Sequence, residues 1–482
     1  MKTKVYENNY NELVIEEMRK ILPQDAVSTK IVDRLAVCHG AFNVEYKWIQ
    51  AGKYPYIPDV VVWPETTEQV SEILKIANKN KTVVIPYGGG SGSVMGSVFF
   101  NGGICLDTKK LTKFILNAKG MSVTVGAGWN ISQLEDELNR FGYTMGHFPQ
   151  SMNSATIAGS VATSAIGTFS TKYGKFDDML IALEVVLPTG EILFTKDAPK
   201  ASTGINLNYL FLGSEGSYGI CTEVTAKIWH QPEARKFSVY TFKTTHDGFE
   251  AVRKMVSLGQ ATLAVVRLYD EYESVFTIDA YKFEEGYALL YLGFEGRKDQ
   301  VDLEMKISDE ICLAEGGIYK GDQAAKQWER DRLDTSYGLG TTHLPNGAAE
   351  SLEISASWDK LEDVWLAMRN AIAPYAQIIH VHFSHMYHTG GNLYCIIHTI
   401  RGKDSEDAEK NFLKCVKKSL DACVKAGGSI SHHHGVGTLK SKWMFDEHNN
   451  GFEIMKKIKR AIDPNNIMNP PVLGLGGEAN VG

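Results

Sequence analysis

A strand that runs straight into a row of glycines leaves a chain few options, and residues 82–96 are built that way. The β-branched stretch 82–85 is followed at once by Pro86, Tyr87, Gly88, Gly89, Gly90, Ser91 and Gly92. Consecutive glycines accept left-handed backbone angles and carry no Cβ, so several N–H groups can converge closely on one anion. The loop has neither the Gly-x-Gly-x-x-Gly spacing of a dinucleotide fold nor the Gly-Lys-Ser/Thr ending of a triphosphate cradle. Alone, it reads as readily as a plain turn. Two further segments of small and polar residues follow. One spans 146–163 and includes Gln150, Ser151, Thr156, Gly159 and Thr163, with Ser164 next; the other spans 213–220 and includes Glu215, Gly216, Gly219 and Ile220. Three such loops within about 135 residues suit an extended cofactor that contains polyphosphate.

The stretches between the loops alternate in type. Strands are predicted at 60–63, 82–85, 104–106 and 122–125, and a helix at 131–140. Thr66 and Thr67 can cap a helix whose Val70, Ile73, Leu74 and Ala77 share one face. Residues 182–187 and 191–194 flank Pro188-Thr189-Gly190 as a hairpin. Strand–loop–helix alternation with hairpins predicts an α+β fold rather than a doubly wound sheet. The glycine punctuation stops near 231–236. Beyond it the rhythm changes, with one clear helix over 405–426 that Gly427 and Gly428 stop. The expected organisation is a cofactor-binding domain over 1–235 with its core at 54–235, a substrate domain over 236–440, and a segment 441–482 that returns to the first.

Composition narrows the class. The 482 residues, 44% of them apolar, are enough for two or three globular domains. Lys and Arg number 50 against 57 Asp and Glu, interspersed and without a basic stripe, so nucleic acid is not an expected partner. No run of about 18 uncharged apolar residues exists to span a membrane, and the N-terminus lacks a signal peptide's apolar core. Seven scattered cysteines without a Cys-x-x-Cys pair argue against zinc ribbons and thiolate clusters, and point to a reduced, cytoplasmic enzyme.

The order of the three loops, preceded by Ile57-Pro58-Asp59-Val60-Val61-Val62-Trp63-Pro64, resembles the FAD-binding domain of the vanillyl-alcohol oxidase / p-cresol methylhydroxylase superfamily. The resemblance covers nearly the whole chain. It implies a two-subdomain FAD-binding domain with an α+β cap domain, and FAD as cofactor. The first loop would take the pyrophosphate, 150–156 would lie along the flavin with 163–166 beside it, and 215–221 would meet the ribose and adenine. Some members attach FAD through a histidine in or near the first loop; 86–96 contains none, so noncovalent FAD is expected. A small-molecule substrate, an electron acceptor that can itself be a protein, and a homodimeric assembly complete the expectation.

Ser431-His432-His433-His434-Gly435-Val436-Gly437 resembles the triple-histidine motif of the alkyldihydroxyacetonephosphate synthase family. His147 in 142–147, Arg267 in 266–270, Tyr394 in 391–394 and the stretch 353–359 resemble further parts of it. The resemblance implies catalytic work for Tyr394, His432, His433, His434, His147 and Arg267. If the three histidines lay on a strand they would alternate between faces, and at most two would reach one cavity. Without the family, His147 reads as a surface or a satisfied core histidine and Tyr394 as a core tyrosine. The superfamily's 2-hydroxy-acid dehydrogenases hold a metal with His-x-Gly-Asp-Gly-Asn-Leu-His and Glu-His-Gly. Here 388–394 is one residue shorter, lacks the Asp and ends in Tyr394, while His433 replaces the Glu, so no metal is expected. Leu339 stands where ether-lipid synthases carry an anion-holding arginine, with Arg330 and Arg332 nearby; a less anionic, more apolar substrate is expected. Two activities stay open: oxidation of an alcohol or hydroxy acid by hydride transfer to flavin N5, which leads, and a redox-neutral exchange of a carboxylate for an alcohol.

Overall fold

The computed structural model describes residues 12–334, 346–399 and 402–477. Strands Val27–Ser28, Val60–Val62, Ile104–Asp107 and Val84–Tyr87 lie side by side in a first sheet, the last three parallel. The helix Thr67–Asn80 buries Val70, Ile73, Leu74 and Ala77 against Val60, Val62, Val84 and Ile104. Thr66 caps it as expected, its hydroxyl accepting the Gln69 N–H at 3.3 Å. At the other end Lys81 turns left-handed (φ 52°) and Thr82 N–H returns to the Ala77 carbonyl. That helix exit consumes residues 81–83, so the strand starts at Val84 rather than 82.

A second, antiparallel sheet orders Phe114–Asn117, Ser122–Gly126, Ile220–Lys227, Leu180–Val186 and Ile192–Phe194. Its last two strands form the expected hairpin, with Val186 opposite Ile192. The fold is α+β. From residue 234 on, the strands belong to another sheet, antiparallel throughout, which runs Ile318–Tyr319, Ala234–Phe242, Ala288–Gly296, Val265–Tyr269, Ile378–Phe383, Gly390–Thr399 and Ala348–Ser357. The helix Ser405–Lys425 packs beside it with Phe412, Val416 and Leu420 buried. After it the chain travels back. Val84 N–H donates to the Ile467 carbonyl at 2.8 Å, and the buried Lys459 ammonium reaches the carbonyls of Ser217 and Met468 at 2.7 Å.

Strand register is what builds the site. Tyr269 pairs with His382, His382 with Tyr394 and Tyr394 with Glu353, one residue from each of four consecutive strands. All seven cysteines are free. Among the described residues no helix is long and apolar enough to cross a membrane.

Candidate active site

A cavity of about 870 Å³ lies where the loops of the first two sheets meet the third sheet. Pro86, Tyr87, Gly88, Gly89, Gly90, Ser91, Gly92, Gln150, Ser151, Thr156, Gly159, Thr163, Glu215, Gly216, Gly219 and Ile220 border it, as do Arg267, Tyr394, His433 and His434. The three separate loops thus face one space. Among the described residues, the N–H groups of Gly89, Gly90, Ser91 and Gly92 have no protein acceptor. A Cβ added at Gly92 would meet nothing within 4 Å. Four free backbone donors in a row, with open space beside Gly92, fit a pyrophosphate. Gly89 has a different reason to be glycine. A Cβ there would fall 1.7 Å from the Ser154 carbonyl oxygen, so the close approach it permits is loop against loop.

Several expected positions prove to be supports. Ser164 lies off the cavity, left-handed at the end of the helix Ile157–Thr163, and accepts from the Lys175 ammonium at 2.6 Å. Glu215 was expected at the ribose, but both its carboxylate oxygens accept backbone N–H groups, from Val436 at 2.7 Å and Gly437 at 2.9 Å. It ties the third loop to the end of the histidine turn. His147 does not border the cavity either. It is fully buried, with Nε2 3.2 Å from Ser160 Oγ and Nδ1 without a partner among the described residues, and burial lowers it to about 3. Nearness in sequence to 150–156 did not put it on the cavity.

The histidine triplet is a turn wrapped around a carboxylate. Glu353 accepts the N–H groups of His432, His433 (3.1 Å) and His434 (3.0 Å), the Ser431 hydroxyl (2.9 Å) and the Lys440 ammonium (2.9 Å). Burial alone would raise this carboxyl; Lys440 and the converging donors hold it down at about 2. His433 and His434 reach the cavity, whereas His432 turns to the Tyr387 hydroxyl, 3.1 Å from its Nε2. Two of three reach it, by a turn and not by strand alternation. Burial lowers His432 to about 3 and His434 to about 4, and His433 well below its usual value. The Nδ1 atoms of His432 and His433 are 3.0 Å apart, so one donates and the other accepts.

Sequence reading missed Glu353 as an organiser, and it missed His382, His385 and Glu273. His385 joins the cluster, its ring 5.4 Å from that of His433. His388, weighed above as a metal ligand, is elsewhere, its carbonyl taken by Ser257 Oγ at 2.8 Å. Among the described residues no three side chains are grouped to hold a metal. Arg267 donates from Nε to the Tyr269 hydroxyl at 2.6 Å and from Nη2 to His382 Nε2 at 3.0 Å. A guanidinium only donates, so His382 Nε2 accepts and its Nδ1–H donates to Glu273 at 2.8 Å. Tyr394 stacks on the same imidazole, centroids 4.7 Å apart. Arg332 lies against the wall, donating to Thr168 Oγ1 and the Phe148 carbonyl and paired with Glu329 at 3.0 Å. Arg330 is exposed on Gln327. Leu339 falls outside the described residues.

The Glu353–Lys440 pair yields a first expected result. Glu353→Gln leaves a buried ammonium without its counter-charge and is expected to cost about 3–5 kcal/mol of stability. Adding Lys440→Met should recover part of that in denaturant melts, and strict additivity of the two changes would show that the pair is not coupled.

Known proteins resemble the chain in both halves. The FAD binding domain family matches residues 58–196, and the family of FAD linked oxidases, C-terminal domain, matches 231–472. An alkyldihydroxyacetonephosphate synthase of Trypanosoma brucei brucei is 26% identical over 497 residues, covering 95% of this chain and 79% of that one. A D-lactate dehydrogenase of Archaeoglobus fulgidus is 29% identical over 416 residues, 85% of this chain and 90% of that one. A solved p-cresol methylhydroxylase with substrate bound shares the fold at a TM-score of 0.80, with 20% identity and 98% of each chain covered. With the row of free backbone donors and these matches together, the chain belongs to the family of FAD linked oxidases, C-terminal domain, preceded by an FAD binding domain, and it is an enzyme whose cofactor is FAD.

Proposed function

We propose that the chain oxidises the alcohol carbon of a small alcohol or hydroxy acid, with residues 54–235 holding FAD noncovalently, 236–440 covering the substrate and 441–482 closing the cofactor domain. The observation that carries this reading is Arg267. It is a half-buried guanidinium that borders the cavity, with no direct carboxylate partner among the described residues. A partly desolvated cation without an ion-paired anion favours a ligand that brings one, or at least a polarised oxygen. Arg267 would hold the substrate's oxygen or carboxylate. Tyr394 and the neutral His433 and His434 line the same space and would handle the hydroxyl proton. Bound FAD supplies the hydride acceptor at N5, and a separate acceptor, with a homodimeric assembly, belongs to the same reading.

The histidine turn and the likeness to alkyldihydroxyacetonephosphate synthases favour one second reading, a redox-neutral transferase. Arg332 bears on it, since the anion of such a substrate needs a cation, and Arg332 is already spent on Glu329 and Phe148. Anaerobic spectrophotometry against a panel of alcohols and hydroxy acids separates the two. Bleaching of the flavin by one class is expected. Ether formation from acyl-dihydroxyacetone-phosphate and a long-chain alcohol, without bleaching, would overturn the oxidation reading. Acid should release the yellow cofactor from the denatured protein. Flavin that stays on the polypeptide would instead indicate a link at His39, which borders the cavity beside the first loop.

A further inference from the structure

Tyr394 is half-buried at the cavity wall, and desolvation pushes its phenol up, so its neutral form is favoured. A hydroxyl that cannot keep a charge can still pass a proton on, provided its own leaves at the same time. The Tyr394 oxygen shares a hydrogen bond with Ser351 Oγ at 2.8 Å, and Ser351 Oγ lies 3.3 Å from Oε1 of Glu350, itself at the cavity wall. Tyr394 sits opposite Glu353, so Ser351 is its diagonal neighbour on the same face of the sheet. The other oxygen of Glu350 accepts the Asn43 N–H at 3.3 Å. Two residues on stands Glu45, 2% exposed, with Oε1 on the Gly40 N–H and Oε2 without a partner among the described residues. Both side-chain polar atoms of Asn43, 1% exposed, also lack partners among the described residues. Polar atoms without described partners, gathered beside the buried Glu45 and the half-buried Glu350, mark a place that a proton or an ordered water completes. A void of about 10 Å³, roughly one water, adjoins Glu45 and is bordered by His39 and the exposed Lys53.

We propose that Tyr394, Ser351 and Glu350 form a proton relay that carries the substrate's hydroxyl proton out of the cavity toward Glu45 and the N-terminal segment. The proposal rests on the oxidation reading above. As the alcohol carbon gives up hydrogen with its electron pair to the flavin, the substrate O–H breaks and its proton forms the new O–H of Tyr394. The proton of Tyr394 moves to Ser351, and that of Ser351 to the Glu350 carboxylate. The carbon is oxidised by two electrons, the flavin is reduced by two, and one proton rests on Glu350. The helix Asn43–Gln50, packed on this strand, carries Glu45, Tyr46 and Lys47, and Tyr394 faces from the neighbouring strand. The Glu350 carboxyl is set by burial, by the Ser351 and Asn43 N–H groups and by the Ser351 hydroxyl. Burial pushes both Glu350 and Glu45 up to about 7, which lets the end of the relay take and release a proton near neutrality.

The test compares the wild-type holoenzyme with E350Q, S351A and E45Q, and with E350D as the conservative control, all checked for wild-type FAD content and melting. With whichever alcohol or hydroxy acid bleaches the flavin, the wild-type reduction rate should rise with pH through about 7. E350Q should lose that inflection and about 10²-fold in rate, with partial recovery in E350D. A second readout needs no substrate. The infrared carbonyl stretch of protonated carboxyls should titrate near neutrality, lose one component in E350Q and another in E45Q, and shift its Glu350 component in S351A and Y394F. A full rate and unchanged pH profile in E350Q would overturn the relay and leave the oxidation reading intact. Failure of every substrate to bleach the flavin would overturn the oxidation reading, and the infrared arm still decides the relay. A Glu350 that stays ionised from about pH 5 to 9, or one indifferent to S351A and Y394F, ends it.

Discussion

A Gly89→Val protein is expected to purify without flavin. The added Cβ would lie 1.7 Å from the Ser154 carbonyl oxygen, 2.6 Å from its carbon and 3.2 Å from Ala155 Cα. All three atoms are backbone, so no rotamer change relieves the contact and the first two loops must part. Overpacking of this kind costs about 1–3 kcal/mol in global stability. Its local effect is larger, because the free N–H groups of 89–92 and the segment 150–156 would no longer face one cavity. Gly92→Ala is the contrasting variant. Its Cβ meets no protein atom within 4 Å, so melting should be unchanged, and any loss of FAD there reports the ligand's own closeness. Flavin absorbance after gel filtration, with and without added FAD, gives both results. Stoichiometric FAD in Gly89→Val would place the cradle elsewhere.

What the sequence discloses is local. The helix Thr67–Asn80 is read from its cap and stripe, the hairpin from Pro188-Thr189-Gly190, and the three loops from their small residues; each is written within a dozen or so neighbours. The face that the third sheet turns to the cavity is not written that way. His382, Tyr394 and Glu353 meet because three antiparallel strands share one register, and register is a property of distant pairings that no local window holds. The one available hint was the period-two placing of His380 and His382 on Ile378–Phe383, a sign of a strand with polar duty on one face. Glu353 was equally hidden. A glutamate on a strand reads as a solvated side chain until the turn of His432–His434 closes over it. His147 differs the other way: it lies in a segment that borders the cavity, yet its side chain does not reach the cavity, while Glu215 borders it with its carboxylate already taken by the Val436 and Gly437 N–H groups.

Replacing the hydroxyl of Tyr394 should separate chemistry from architecture. Tyr394→Phe keeps the ring that stacks on His382 and removes only the oxygen beside Ser351. FAD content and melting should therefore hold, while turnover falls by about 10²–10⁴-fold, the scale of a lost acid–base group. His433→Ala should give a loss of the same order for a related reason. The turn survives because Glu353 grips the backbone N–H of residue 433 and not its imidazole, so the change removes one cavity-facing ring and leaves its frame. His147→Asn is the discriminating third variant. It lies behind the cavity, bonded to Ser160, and should change melting more than turnover. If His147→Asn abolished turnover while Tyr394→Phe left it near normal, the proton chemistry would run on the far side of the cofactor, and the face built by Arg267, His382 and Tyr394 would be reduced to holding the substrate. The opposite pattern is the one this register predicts, because Tyr394 on that face borders the cavity and shares a hydrogen bond with Ser351, whereas His147 does not border it.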